Sequence, residues 1–122
     1  MREPLLGPLE SKVMNYFWRN DGYASIPSVH HYLRRRDRLA YTTVATVVTR
    51  LVEKKLLCRE KLNGEFVYRS CQSRDEFKTE RSRNLVKFLI GSFGDLAIAS
   101  FVAEVKTDPH SLKKLREMTR GR

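Results

Sequence analysis

The sequence predicts a mainly α-helical fold carrying one small β-hairpin, arranged as a winged helix-turn-helix with a short helical segment behind it. Three observations lead there. The first 55 residues hold three stretches with helical apolar spacing. Two strand-like runs then flank Asn63-Gly64. After Ser70 the chain changes to short helical patterns with apolar stripes. The predicted division is a winged-helix domain over residues 1–72 and a helical segment over residues 73–122.

Residues 1–7 read as a loose lead, and Pro8 suits a first helical turn. Leu9, Val13, Tyr16 and Phe17 recur at helical spacing up to about Arg19, and Asn20-Asp21-Gly22 ends the helix. Ser25 is a candidate N-cap for a second helix with Pro27 in its first turn. Val29, Tyr32 and Leu33 form its stripe, and the basic run Arg34-Arg35-Arg36-Asp37-Arg38 closes it, which suits the negative end of a helix dipole. The third helix has the clearest pattern. Val44, Val47, Val48 and Leu51 fall on one face, while Thr42, Thr43, Thr46, Thr49, Arg50 and Glu53 fall on the other.

Residues 56–62 and 65–70 are the predicted strands, because Asn-Gly supplies the two positive-φ positions of a tight turn. Phe66 and Tyr68 share a face of the second strand. Ser73 with Glu76 forms a capping-box pattern for the next helix, whose stripe is Phe77, Arg81, Leu85, Phe88 and Leu89. Gly91 and Gly94 are expected to bracket a break. Leu96, Ala97, Ser100, Phe101 and Val105 mark another helix. Asp108 and Pro109 then start a last one carrying Leu112, Leu115 and Met118.

The chain has 122 residues, with 24 Lys and Arg against 14 Asp and Glu, a formal charge of +10. The excess is shared by both halves and is not a basic tail. A folded domain of this charge is drawn to polyanions, nucleic acid first among them, because each neutralised phosphate releases condensed counterions. The apolar stretches are too short for a membrane span, and the N-terminus lacks a signal-peptide pattern, so a cytoplasmic protein is expected. Cys58 and Cys71 are expected as reduced, partly buried thiols near one hairpin. His30 and His31 point about 100° apart on their helix and are expected as surface residues. No phosphate loop, nucleophile elbow, zinc-protease or paired Cys-x-x-Cys motif occurs, so neither an enzyme nor a metal or cofactor site is expected.

The threonine-rich face bears on function. A face selected only for solubility favours Glu and Lys, which are better helix formers. Threonines let a helix lie close to base edges, with a hydroxyl to donate or accept and a methyl to meet thymine. Three helices and a hairpin place this third helix in the major groove and the hairpin as a wing. The expected base readers are Tyr41, Thr42, Thr43 and Thr46, and the expected backbone contacts are Arg50, Lys54, Arg59, Lys61 and Arg36. The C-terminal helices are too few for an independent core, so Phe77, Leu85, Phe88, Leu89, Phe93, Leu96, Phe101, Leu112 and Leu115 are assigned to a two-fold dimer. Two other classes would use such a layout: a ligand-sensing regulator with a pocket behind the winged helix, and a protein-interaction module.

Over nearly its whole length the chain resembles the BlaI/MecI/CopY family of bacterial repressors, in its actinobacterial style. Leu6-Gly7-Pro8-Leu9-Glu10 with Val13-Met14 and Trp18 resembles the family's opening helix. Leu39-Ala40-Tyr41-Thr42-Thr43-Val44 with Thr46 and Arg50-Leu51 resembles its recognition helix, and Phe66-Val67-Tyr68 its wing strand. The resemblance implies a homodimeric repressor on a palindromic operator in duplex DNA, controlling beta-lactam resistance or related stress genes. It implies that Thr43 and Thr46 read bases and that Arg50 meets the backbone. It also implies a sensor-linked protease as partner, with the cleavable Asn-Phe bond of penicillinase repressors replaced here by Ser100-Phe101. Copper-responsive relatives carry four C-terminal cysteines, and this chain has no cysteine after Cys71.

Overall fold

The computed structural model describes residues 6–120. Its elements run α1 (Pro8–Arg19), α2 (Ile26–Asp37), α3 (Tyr41–Glu53), β1 (Leu57–Leu62), β2 (Glu65–Ser70), α4 (Arg74–Phe93), α5 (Asp95–Thr107) and α6 (Pro109–Thr119). The chain divides into two compact units, residues 1–79 and 80–122.

Local chemistry sets the limits of the helices in the first unit. The Gly7 amide donates to Glu10 Oε1 at 3.0 Å and caps α1. Asn20 ends it by turning its side-chain amide back onto the Tyr16 carbonyl at 2.7 Å. Ser25 caps α2 by accepting the Ser28 amide at 3.3 Å. Arg38 then takes the left-handed conformation at φ 52° and breaks the helix, leaving residues 38–40 as the turn into α3.

Val13, Met14 and Phe17 of α1 meet Val29 and Leu33 of α2 and Val44, Val47, Val48 and Leu51 of α3 in one buried cluster. The hairpin closes it with Leu57 and Tyr68. Strands β1 and β2 pair antiparallel from Leu57↔Ser70 to Leu62↔Glu65. A single bridge between Ala24 and Tyr68, with both backbone bonds at 2.8 Å, ties the hairpin to the loop before α2. One isolated pair carries no strand pattern in sequence, so periodicity does not reveal it.

The hairpin turn has Asn63 at φ 51° and Gly64 at φ 80°. A Cβ at Gly64 would meet nothing within 4 Å, so a substitution there acts on the backbone alone. Gly64→Ala is expected to cost about 1 kcal/mol, seen as faster hydrogen exchange confined to β1 and β2. Equal acceleration across α1–α3 would contradict it.

Several expectations are corrected. The lead over residues 1–7 lies partly outside the described residues, but Leu6 is not loose: it is buried in the core. Phe77, assigned to a dimer face, is 1% exposed in that same core, with its ring 5.1 Å from Trp18. Trp18 Nε1 donates to the Gln72 carbonyl at 3.2 Å, and Arg74 donates to Asn15 Oδ1 at 2.6 Å. The first turn of α4 is thereby bound to α1, and its capping box forms as expected between Ser73 and Glu76. Gly91 makes no break, since α4 runs through it to Phe93, and only Gly94 turns, at φ 58°. Cys58 and Cys71 are not free thiols but a disulfide. Twist at the hairpin base brings these diagonal neighbours to a Cα separation of 5.5 Å.

In the second unit α5 packs on α6, and Asp108 caps α6 through the His110 amide at 3.2 Å. Val105 is its one buried apolar side chain among the described residues. Among the described residues no helix is long and apolar enough to cross a membrane.

Candidate nucleic-acid interface

Helix α3 buries its four-residue aliphatic stripe and so turns its threonine face outward. Thr42, Thr46, Thr49 and Arg50 are exposed and Thr43 is half-buried. Leu9, Thr42, Thr43, Thr46, Val47 and Arg50 line a shallow groove of about 300 Å³ along the helix. The hydroxyls differ in what they offer. Thr46 Oγ1 donates to the Thr42 carbonyl and Thr49 Oγ1 to the Ala45 carbonyl, each at 2.9 Å. Their protons are committed within the helix, which leaves lone pairs and methyl groups facing out. Thr43 makes no side-chain hydrogen bond among the described residues, so its hydroxyl is free to donate as well as accept.

The N-terminus of α3 is held by a residue expected only on the surface. His30 Nε2 lies 2.9 Å from the Leu39 carbonyl in the turn, and its ring meets Tyr41 edge-on at 5.5 Å. This anchors the turn and the first residue of α3 to α2. A histidine on a helix shows no such role by spacing, because its partner is a backbone carbonyl nine residues on.

Two ends of the candidate site are cationic in different ways. Arg50 is exposed and has no ion pair among the described residues. Lys54 is engaged: its ammonium lies 2.7 Å from Glu10 Oε2, whose side chain is only 8% exposed. Lys54 is therefore a strut between α1 and α3, its side chain 44% exposed. Arg36 lies in the groove between α1 and α2, where it donates to the Tyr32 hydroxyl at 2.8 Å. On the wing, Arg59 and Lys61 share a face with Phe66, the Arg59 guanidinium carbon 4.5 Å and the Lys61 ammonium 5.7 Å from the ring centre. The exposed ring is a platform that holds both cations at the hairpin surface.

Burial raises the Glu10 carboxyl, but hydrogen bonds from Lys54 and the Gly7 amide, with the nearby Lys54 and Arg50 charges, outweigh it and hold it below the usual carboxylate range. A depressed carboxylate stabilises the fold fully above its ordinary value of 4.5, and the contribution is lost as pH falls below that. Glu10→Gln is expected to cost about 2 kcal/mol at pH 7, a difference that shrinks as urea melts are repeated from pH 5 towards pH 3. A difference independent of pH would rule out the ion pair as its source.

The remaining expected residues lie in the second unit or at its approach. Phe88, Leu89, Phe93, Leu96 and Phe101 are exposed on the single chain, with Phe88 at 65% and Leu96 at 69%. Leu85, Leu112 and Leu115 are half-buried. Ser100 and Phe101 sit in the middle of α5, both exposed.

The family model described as penicillinase repressor matches residues 6–120. The chain is 28% identical over 110 residues to the methicillin resistance regulatory protein MecI of Staphylococcus aureus strain N315, covering 89% of this chain and 88% of that protein. It is 38% identical over 71 residues to the transcriptional regulator BlaI of Mycobacterium tuberculosis strain H37Rv, 58% of this chain and 51% of that protein. This second match thus spans about half the length of that regulator. A solved structure described as "Mechanism for regulation of DNA binding of Bordetella bronchiseptica BpsR by 6-hydroxynicotinic acid" is 16% identical, with a TM-score of 0.46 over 84% of this chain and 74% of that one. The match across almost the full chain settles the family: this protein belongs to the penicillinase repressors, alongside the BlaI and MecI transcriptional regulators.

Proposed function

We propose that this protein is a homodimeric repressor that binds an inverted-repeat operator in duplex DNA and blocks transcription by occupying it. The observation that carries the reading is the outward face of α3, short hydroxyl side chains over a shallow groove with Arg50 at its edge. Thr43 and Thr46 are its base readers, with Tyr41 and Thr42 beside them at the start of the helix. Thr46, offering acceptors and a methyl, suits an adenine or cytosine amino group or a thymine methyl. Arg50, Arg59 and Lys61 take phosphates. The exposed apolar residues of α4, α5 and α6 supply the two-fold interface, the dimerisation segment starting beyond Phe77. Such a dimer reads half-sites about one helical turn apart.

Ending repression by a sensor-linked protease at Ser100–Phe101 requires α5 to open locally, since that bond is helical. The test of the whole reading is enrichment of genomic fragments by the purified protein. A shared inverted repeat supports it, and the neighbouring genes show whether beta-lactam resistance or another stress response is controlled. Enrichment without a common motif overturns it.

Substitution separates the two kinds of contact. Thr43→Ala or Thr46→Ala is expected to erode discrimination between operator and random duplex by about 1–3 kcal/mol. Arg50→Ala weakens both duplexes alike and reduces the salt slope by about one. Identical behaviour of the threonine and arginine variants in fluorescence anisotropy would remove α3 from the groove.

A further inference from the structure

We propose that Cys58 and Cys71 are a reversible thiol–disulfide couple that sets how firmly the wing is held; its effect on DNA rests on the function proposed above. The pair joins the second residue of β1 to the residue just after β2, closing a covalent ring around the entire wing. Its neighbours reach both functional directions. Leu57, beside Cys58, is buried in the core against which α3 packs. The Cys71 amide donates to the Leu56 carbonyl at 3.1 Å, and Gln72 beyond it receives the Trp18 indole. The bond thus sits where the wing, the end of α3 and the start of α4 meet.

Two features suit this bond to exchange. Cys71 is exposed and Cys58 half-buried, so a small thiol has a route to the sulfurs. The rest of the unit does not depend on the bond: the core cluster, the six-pair ladder and the Ala24–Tyr68 bridge hold the hairpin base without it. Reduction therefore loosens the wing and leaves the domain folded. The face that gains freedom carries Arg59, Lys61 and Phe66, so each loosened side chain must be ordered again on DNA.

The chemistry balances with a low-molecular-weight disulfide as oxidant. One cysteine thiolate attacks glutathione disulfide, forming a mixed disulfide and releasing one glutathione thiolate. The second cysteine attacks the mixed disulfide at the protein sulfur, forming the Cys58–Cys71 bond and releasing the second glutathione. Two electrons pass from the cysteine pair to glutathione, and the two thiol protons end on the two glutathiones. Excess reduced glutathione runs both steps backwards.

The test equilibrates the full chain in buffers of varied reduced and oxidised glutathione, quenches with an alkylating reagent and weighs the products. Hydrogen exchange of the wing and anisotropy on an enriched duplex are read in parallel, with Cys58→Ser/Cys71→Ser as control. We expect an intramolecular disulfide to form and revert across the series, with faster wing exchange and about five- to tenfold weaker DNA binding on reduction. The serine variant should respond to neither reagent. A pair that stays reduced in excess glutathione disulfide, bonds between chains, or wing exchange equal in both states overturns the couple. Wing exchange that responds while neither state binds any duplex sustains the couple and overturns the DNA-binding reading instead.

Discussion

Leu89→Asp is expected to convert the proposed dimer to a monomer in sedimentation equilibrium. Leu89 lies on α4 among Val86, Phe88, Ile90 and Phe93, all five of which the described residues leave 43–65% exposed. If a second copy covers them, the variant buries a carboxylate with no partner. Removing the compensation of a buried charge costs about 3–5 kcal/mol, so the dimer dissociation constant should rise about 100-fold or more. Affinity for an inverted repeat then falls with it, while a single half-site is bound as before. The winged helix is untouched by the change, so its melting temperature at low concentration should hold. A variant that remains dimeric would place the interface away from α4.

Phe77→Ala makes the opposite prediction from only twelve residues earlier on the same helix. Phe77 is buried in the core of the first unit and packs on Trp18. Truncating a buried phenylalanine costs about 3–5 kcal/mol, through lost transfer energy and the cavity left behind. For a unit of this size that lowers the melting temperature by about 12–40 °C. The loss should be independent of protein concentration, which distinguishes it from a dimerisation defect. A concentration-dependent loss would return Phe77 to the dimer face. Taken together, the two variants locate on α4 the point at which the core of the first unit gives way to the second unit.

Both variants turn on a helix whose apolar residues look alike in sequence. Phe77, Leu85, Phe88 and Leu89 share one spacing, yet the first is in a core and the others are not fully covered. Periodicity reports which residues share a face. It does not report what lies opposite that face, and for Phe77 the answer is Trp18, 59 positions earlier in the chain.

What the sequence determined by itself is local. The aliphatic stripe of α3 obliges its threonines to face outward, because one side of a helix cannot be buried without exposing the other. Asn63-Gly64 sets the hairpin register, since few other pairs accept positive φ at both positions. Ser25, Ser73 and Asp108 start their helices because a side-chain oxygen placed just before a helix satisfies its free amides. What only the tertiary structure decided depends on partners distant in sequence. Lys54 is paired with Glu10, 44 residues away, and Arg36 sits in the groove between α1 and α2, placements that no local pattern reveals. His30 becomes an anchor for the turn before α3, and Cys58 meets Cys71 at the base of the wing, through backbone paths that no spacing rule encodes. The physical reason is the range of the forces. Capping, turn geometry and amphipathic burial act within a few residues, whereas ion pairs, buried carbonyl contacts and disulfides form wherever packing brings two groups within a few ångströms.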